Sequence, residues 1–381
     1  MSLFLISFFL IYGGIHLYTY LKIRTATATG PLVSLLIILF MFFMVLAPIF
    51  VRIAERHGFD LAAHVLSWTG YIWMGVLFLF FSAAILFDLY RFLLWMGGWV
   101  TRKDLAYLAP SYRLSFYIPL IFSIVVSLYG YFEALNVRVE RVDLKSPKIP
   151  ESLGKVTVAQ ISDVHLGLII RQGRLSRILE KVRESNPDVL VSTGDLVDGQ
   201  INHLEGLAEM LKEIQPRFGK YAVTGNHEYY AGFEQALAFT EKAGFTILRG
   251  EGCTAGDVIN IAGVDDPAGL GFGRLRGEPE KELLSSLPPD KFTLFLKHRP
   301  LLDRDSLGFF DLQASGHTHS GQIFPFTLFI WMVYPEQSGL TRLGHSFLYV
   351  SRGTGTWGPP IRFLALPEVT LYEIQHDGAS R

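Results

Sequence analysis

Four apolar runs in the first 135 residues constrain this chain more than any other feature. Leu3 to Leu21, Pro31 to Val51, Val65 to Phe87 and Leu114 to Phe132 contain no Asp, Glu, Lys or Arg. Each is about 19 to 23 residues long, the length a helix needs to cross roughly 30 Å of hydrocarbon. Four such runs in succession predict a transmembrane region of four helices rather than the buried helices of a soluble core. Composition agrees: half of the chain (50%) is hydrophobic and only 18% is charged. The net charge of −1 supplies no basic excess of the kind nucleic-acid binding requires. A single cysteine, Cys253, excludes an intrachain disulfide and a Cys-rich zinc site.

The boundaries of the runs carry further information. Trp68, Trp73, Trp95 and Trp99 lie in or near the third run, and those toward its ends suit an interfacial aromatic belt. His16, His57 and His64 are expected to be structural or interfacial. Asp88 and Arg91, three apart on one helical face, are expected to pair. The first run lacks a basic leader and reads as a retained anchor. Lys22, Arg24, Arg91, Arg102, Lys103 and Arg113 flank the first and third loops, whereas Arg52 and Arg56 flank the second. With the long C-terminal part discounted, this favours odd loops inside and places the C-terminal domain outside the cytoplasm of a multi-pass cell-membrane protein.

The character of the sequence changes near residue 135. Residues 136–150 are polar, contain Pro147 and Pro150, and read as a linker between a membrane domain (1–135) and a second domain (151–381). In that second domain, helical spacing over Arg174–Glu184, Leu204–Ile214 and Gln235–Ala243 alternates with strand-like runs, and a strand-rich tail follows. The pattern predicts an α/β domain with a mostly buried sheet or pair of sheets and helices outside.

Polar residues fall where these strands run out. Val156 to Ile161 leads into Asp163-Val164-His165, and Val189 to Ser192 into Gly194-Asp195-Leu196-Val197-Asp198. Tyr221 to Thr224 leads into Gly225-Asn226-His227-Glu228, Phe292 to Leu296 into Lys297-His298-Arg299-Pro300, and Leu312 to Ser315 into Gly316-His317-Thr318-His319. Ligands of open α/β sheets bind beyond the carboxyl ends of the strands, so the five turns are expected to converge. Oxygen and nitrogen donors without thiolate suit Mn, Fe or Zn. Two metals about 3.5 to 4 Å apart need a bridging carboxylate, for which Asp195 is the natural candidate. Gly194, Gly225 and Gly316 admit tight turns where a Cβ would collide. His227, beside Asn226, is a candidate proton donor to a leaving oxygen, with Asp198 orienting its ring. Arg299 and Arg352 are candidate substrate-binding residues that would grip a phosphate bidentately. Asp265 and Asp266 end a further strand and read equally as site residues or as an Asp-Pro turn. His203 reads as an exposed helix start.

The ordered set DxH, GDxxD, GNHE, KHxP and GHTH resembles the calcineurin-like metallophosphoesterase superfamily over roughly residues 150 to 376. The upstream spans, with the stretches 263–267 and 353–360, are similar to its bacterial membrane-bound branch. The resemblance implies a four-layer α/β/β/α sandwich and a two-metal centre. Asp163, His165, Asp195 and His319 would hold one ion, and Asp195, Asn226, His298 and His317 the other. It implies hydrolysis of a phosphomonoester, phosphodiester or pyrophosphate by metal-activated water. A nuclease or nucleotide phosphodiesterase is the alternative on the same centre, disfavoured by the lack of a basic groove. A non-catalytic membrane scaffold is disfavoured because no ligand position has been lost.

One stretch remains outside these motifs. Gly321 to Tyr334 is nearly all apolar, follows the last turn directly and is too short to span a bilayer. Its Trp, Tyr, Phe and Pro, outside any clean strand or helix period, read as an interfacial segment rather than core, which makes a lipid-linked substrate an expectation.

Overall fold

A computed structural model of the chain describes residues 2–199, 204, 206–277 and 279–378. It divides into two compact units, residues 1–132 with 358–361, and residues 133–357 with 362–381.

The first unit is built from α1 (Ser2–Thr27), α2 (Pro31–Arg56) and α3 (Asp60–Thr101), followed by α4 (Leu114–Glu133). All four are long and apolar enough to cross a membrane. The 42 residues of α3 extend about 63 Å at 1.5 Å per residue, roughly twice a hydrocarbon core, so the expected span Val65–Phe87 is only its middle. It stops where Arg102 turns left-handed, with φ 54°. Inside the unit, Trp73 Nε1 donates to His16 Nε2 at 2.9 Å. The expected Asp88–Arg91 pair does not form. Asp88 instead takes Lys22 and the Tyr18 hydroxyl, both from α1. Arg91 donates to Pro110 O and lies 4.2 Å over the Tyr112 ring. Partners from another helix for Asp88, and from the α3–α4 connection for Arg91, satisfy each charge without the same-helix pair.

The second unit opens with β1 (Arg138–Ser146), which occupies most of the stretch expected as a linker. Its buried Val142 and Leu144, which alternate with polar residues, are the period-2 signal masked by the surrounding charges. Then come β2 (Lys155–Ile161), α5 (Gln172–Ser185), β3 (Val189–Ser192), α6 (Leu207–Lys212) and β4 (Lys220–Ala222). The chain continues through α7 (Asn226–Ala231), α8 (Phe233–Lys242), β5 (Thr246–Ile247), β6 (Glu251–Ala255), β7 (Ile259–Gly263) and α9 (Glu280–Ser285). It ends with β8 (Phe292–Leu296), β9 (Leu312–Ser315), α10 (Phe326–Val333), β10 (Gly339–Leu343), β11 (Ser346–Val350) and β12 (Glu368–His376). The stretch expected to lack a helical period is therefore a short helix, α10.

The strands form two six-stranded sheets, ordered β1-β12-β2-β3-β4-β5 and β10-β11-β9-β8-β7-β6. Within the first, β2 to β5 are mutually parallel, and within the second β7, β8, β9 and β11 are. Alternation along the strands builds the layers. Val156 and Val158 of β2, with Ile259 and Ile261 of β7, fill the core between the sheets. Ala159 and Ile161 face the other way, onto Leu175, Ile178, Leu179 and Val182 of α5 and onto α6 and α8. Across the second sheet, Ala262 and Phe295 pack on Leu283 and Leu284 of α9. Sheets covered on both faces need no polar side, which is why their strands read as continuous apolar runs. The result is the four-layer α/β/β/α sandwich. Leu179→Ala should lower the stability of this unit by about 2 to 5 kcal/mol through cavity formation, read as a lower unfolding midpoint; an unchanged midpoint would place the α5 layer outside the folding core.

Candidate metal centre

Parallel strands deliver their carboxyl ends to one edge of each sheet, and the five polar turns meet there. Asp163 and His165 follow β2, Asp195 follows β3, Asn226 opens α7 after β4, His298 follows β8, and His317 and His319 follow β9. All seven candidate ligands come together. Asp163, His165 and His319 form one group with donor atoms within 4.8 Å of one another, and Asp195, His298 and His317 form another. His165, Asp195 and His227 form a third, which links the two. Asn226 joins the second group, with Oδ1 3.3 Å from His298 Nε2.

The residues fit divalent cations. His298 Nδ1 lies 2.8 Å from Thr193 O, a carbonyl that can only accept, so in the neutral ring Nε2 is the lone-pair nitrogen. That atom lies 3.3 Å from Asp195 Oδ2 and 3.1 Å from His317 Nδ1. His165 Nε2 and His319 Nε2 are likewise 3.1 Å apart. Such close pairs of donors are the spacing of neighbouring ligands around one ion with bonds near 2.1 Å. Burial pushes His165 down to about 4 and His317 to about 3, and holds His319 far below its ordinary value. All three are therefore neutral imidazoles, the form that ligates. Burial opposes charge on His298 too, but Asp195, Asp163 and Asp266 outweigh it and push it up to about 10. The surrounding carboxylates thus favour positive charge at His298.

The backbone is strained to achieve this. Asp163, His165, Asp195, His317 and His319 all have φ between 48° and 72°, the left-handed region that non-glycine residues avoid at a cost of about 1 to 3 kcal/mol each. The expected glycines act in two ways. Gly194 is left-handed, with φ 92°. Gly225 and Gly316 are needed for close approach, since a Cβ would overlap the Asp195 carboxylate at the first and Ser162 and Asp163 at the second.

His227 and Asp198 are in contact, with Nδ1 2.8 Å from Oδ1. Burial disfavours charge on His227, but Asp195 and Asp198 prevail and push it up to about 9. Its ring lies 4.6 Å from that of His165 and 5.8 Å from that of Trp357, so it stands beside the donor cluster, within ligand range of Asp195. The two arginines differ. Arg299 is gripped by Asp266 at 2.8 and 3.0 Å and stays near His317. Arg352 is instead tied to Glu368 and, at 2.8 Å, to Glu140, so its guanidinium braces β1 and β12. Asp265 holds Arg249 and the Thr224 hydroxyl, a bracing role. His203 lies outside the described residues.

Two residues that matter were not singled out from the sequence. Glu228 is buried, and its carboxylate accepts from the backbone N–H of Asp195 (3.0 Å), Leu196 (2.8 Å) and Gly225 (2.7 Å). It thus clamps the turns bearing Asp195 and Asn226 to each other. The Gly-x-x-Glu spacing at a helix start is a capping signal that points to it. Arg362 is fully buried and donates to the carbonyls of His319, Arg352 and Gly355. No local pattern announces it, because its acceptors are distant or irregular backbone carbonyls and the His319 ring.

The comparisons with known proteins agree with this geometry. The calcineurin-like phosphoesterase family matches residues 156–321. A metallophosphoesterase of Aquifex aeolicus, named as uncharacterized, is 37% identical over 259 residues, covering 67% of this chain and 98% of that protein. A Campylobacter jejuni metallophosphoesterase, also named as uncharacterized, is 33% identical over 271 residues, 69% of this chain and 70% of that one. A Danio rerio transmembrane protein with metallophosphoesterase domain is 34% identical over 269 residues, and the match spans 61% of its length. The chain belongs to the calcineurin-like metallophosphoesterases, and it is a metal-dependent phosphoester hydrolase.

Glu228→Ala strips the acceptor from the buried backbone donors of Asp195, Leu196 and Gly225 and from the more distant Val197 N–H, each unpaired donor costing about 1 to 3 kcal/mol. The variant should bind less metal although Glu228 is no candidate ligand, as measured by elemental analysis; full metal content with an unchanged melting point would show that Glu228 clamps nothing.

Proposed function

We propose that the chain is a membrane-anchored phosphoesterase that works with two divalent ions. Asp163, His165, Asp195 and His319 hold one, Asp195, Asn226, His298 and His317 hold the other, and Asp195 bridges them. The observation that carries this reading is that Asp195 lies within ligand range of His165, a member of one donor group, and also belongs to the other with His298 and His317. When bound, such ions supply a water that deprotonates near neutral pH and positive charge for the phosphoryl oxygens. The donor set accepts Mn, Fe or Zn.

The protein's own part is positioning and proton delivery. Water adds to phosphorus, the P–O bond to the leaving group breaks, and the departing oxygen takes a proton from His227 while solvent takes the one the water releases. With Nδ1 committed to Asp198, the transferable proton is on Nε2 of His227. Arg299, held in place by Asp266, offers positive charge at the rim, whereas the bracing of Arg352 argues against a substrate role for it. The substrate is a phosphomonoester, phosphodiester or pyrophosphate, and anchoring by the four apolar helices of a membrane domain near residues 1–135 favours a lipid-linked one. The loop charges favour an extracytoplasmic catalytic domain, which a C-terminal reporter fusion checks.

Asp195→Ala should lose both ions and all activity on bis-p-nitrophenyl phosphate. His227→Ala should keep its metal while kcat falls by about 10²- to 10⁴-fold. Loss of metal from the His227 variant would make His227 a ligand instead, a role its distance to Asp195 permits. Chelation followed by readdition of Mn, Fe or Zn should abolish and restore turnover; activity that survives complete metal removal would sink the two-ion reading.

A further inference from the structure

Helix α10 presents an apolar surface that its own domain does not bury. None of its eight residues is buried. Leu328, Phe329, Trp331, Met332 and Val333 are each between 54% and 75% exposed. No charged residue occurs from Gly321 to Pro335. Folded domains rarely leave a contiguous patch of this kind to water, and where they do it marks an interaction site.

Both ends of the helix are fastened to the candidate metal centre. At its start, Thr327 Oγ1 donates to Ser320 O at 3.0 Å, one residue beyond His319. Past its end, the Tyr334 ring lies 5.6 Å from that of His317, and Thr318 Oγ1 donates to Gln337 O at 2.7 Å. Exposed apolar residues continue around the same rim. Phe324 N donates to Phe363 O at 3.1 Å, which brings Leu364 beside the start of the helix. Gln322 Nε2 donates to Trp357 O at 2.9 Å, and Trp357 is the ring next to His227. Whatever covers this surface therefore adjoins the reacting groups.

The chemistry of the patch and the rest of the chain point to a bilayer as the occupant. The same chain carries four helices of membrane-spanning length and apolarity, so lipid is within reach of this domain at all times. Eight helical residues extend about 12 Å, too short to cross hydrocarbon but suited to lying in its boundary. Trp331 and Tyr334 supply the amphipathic rings that settle at headgroup level.

We propose that α10 seats in the interfacial zone of the bilayer and that the adjoining centre acts on an amphiphilic phosphate ester or pyrophosphate. Its hydrocarbon chain stays against α10 in the membrane while its phosphoryl group enters the site. The docking half stands on the exposed helix alone; the substrate half rests on the two-ion phosphoesterase reading above.

The test uses the full chain in lipid nanodiscs. A nitrobenzoxadiazole probe is attached to Met332→Cys in a Cys253→Ser background, and the discs contain phosphatidylcholine with a doxyl quencher on the acyl chain. Emission at position 332 should fall by roughly half, whereas the same probe at Glu184→Cys on α5 should be unaffected. An unquenched probe at 332 overturns docking, and probe contact between two copies of the chain would assign the surface to self-association instead. In the second arm, dioleoyl phosphatidic acid, phosphatidylglycerol and a polyprenyl pyrophosphate in the discs are compared with their short-chain soluble counterparts. At least one long-chain substrate should show kcat/KM about tenfold or more above its counterpart. The Phe329→Ser, Trp331→Ser, Met332→Ser triple variant should lose that preference while hydrolysing bis-p-nitrophenyl phosphate within about twofold of the parent. Equal rates on long and short chains overturn the substrate half, as does a triple variant that keeps the preference. Failure to cleave even bis-p-nitrophenyl phosphate with metal supplied would strike the phosphoesterase reading, and the quenching result would still decide docking.

Discussion

Buried negative charge is the constraint on which the catalytic domain depends. Asp163, Asp195 and Glu228 are all buried, and carboxylates taken out of water must be compensated or protonated. The three are treated differently. Burial pushes Asp163 up to about 6 and Glu228 to about 7, while Asp195 is pulled well below the usual range in spite of burial, chiefly by His298 and His227. Glu228 is fixed by backbone donors and Asp163 by the amide of His317. Asp195 accepts from the His227 amide through Oδ1 and turns Oδ2 toward His298 and His165. The most strongly ionised of the three carboxylates is thus the one that stands between His165 and His298, histidines of the two donor groups.

That compensation requires strain. Five candidate ligands hold left-handed backbone conformations, and Gly225 and Gly316 among them are placed where a side chain would strike a carboxylate. Such geometry persists only if the surroundings over-determine it. Two sheets packed face to face, with Arg362 and Glu228 tying the turns to one another, provide that rigidity. The inner core of Val, Ile and Leu side chains keeps the carboxyl ends of the two sheets in register, so packing far from the centre sets distances within it.

Much of the architecture was legible because it rests on short-range signals. The apolar, β-branched runs of β2, β3, β7 and β8 and the helical spacing in α5 and α8 follow from which faces must be buried. The five polar turns were legible because ligand chemistry restricts residue types. What escaped depended on distant partners. β1 looked like a charged linker because its strand pairing with β12 lies more than two hundred positions away along the chain. Asp88 looked like a partner for Arg91 until α1 supplied Lys22 and Tyr18. Arg352 looked like a phosphate clamp, but Glu368 and Glu140 approach it only in the folded sheet.

The four apolar runs by themselves determined that this chain carries helices fit for a membrane, because hydrocarbon tolerates only backbone whose polar groups are satisfied within the segment. The ordered turns by themselves determined the donor types and the family they resemble. Tertiary structure decided which donors lie within ligand range of one another, that Asp195 faces His165 as well as His298, and that α10 is left apolar and exposed beside them. Those are distances between residues remote in sequence, and only the closing of two sheets on one core brings them to a fixed value.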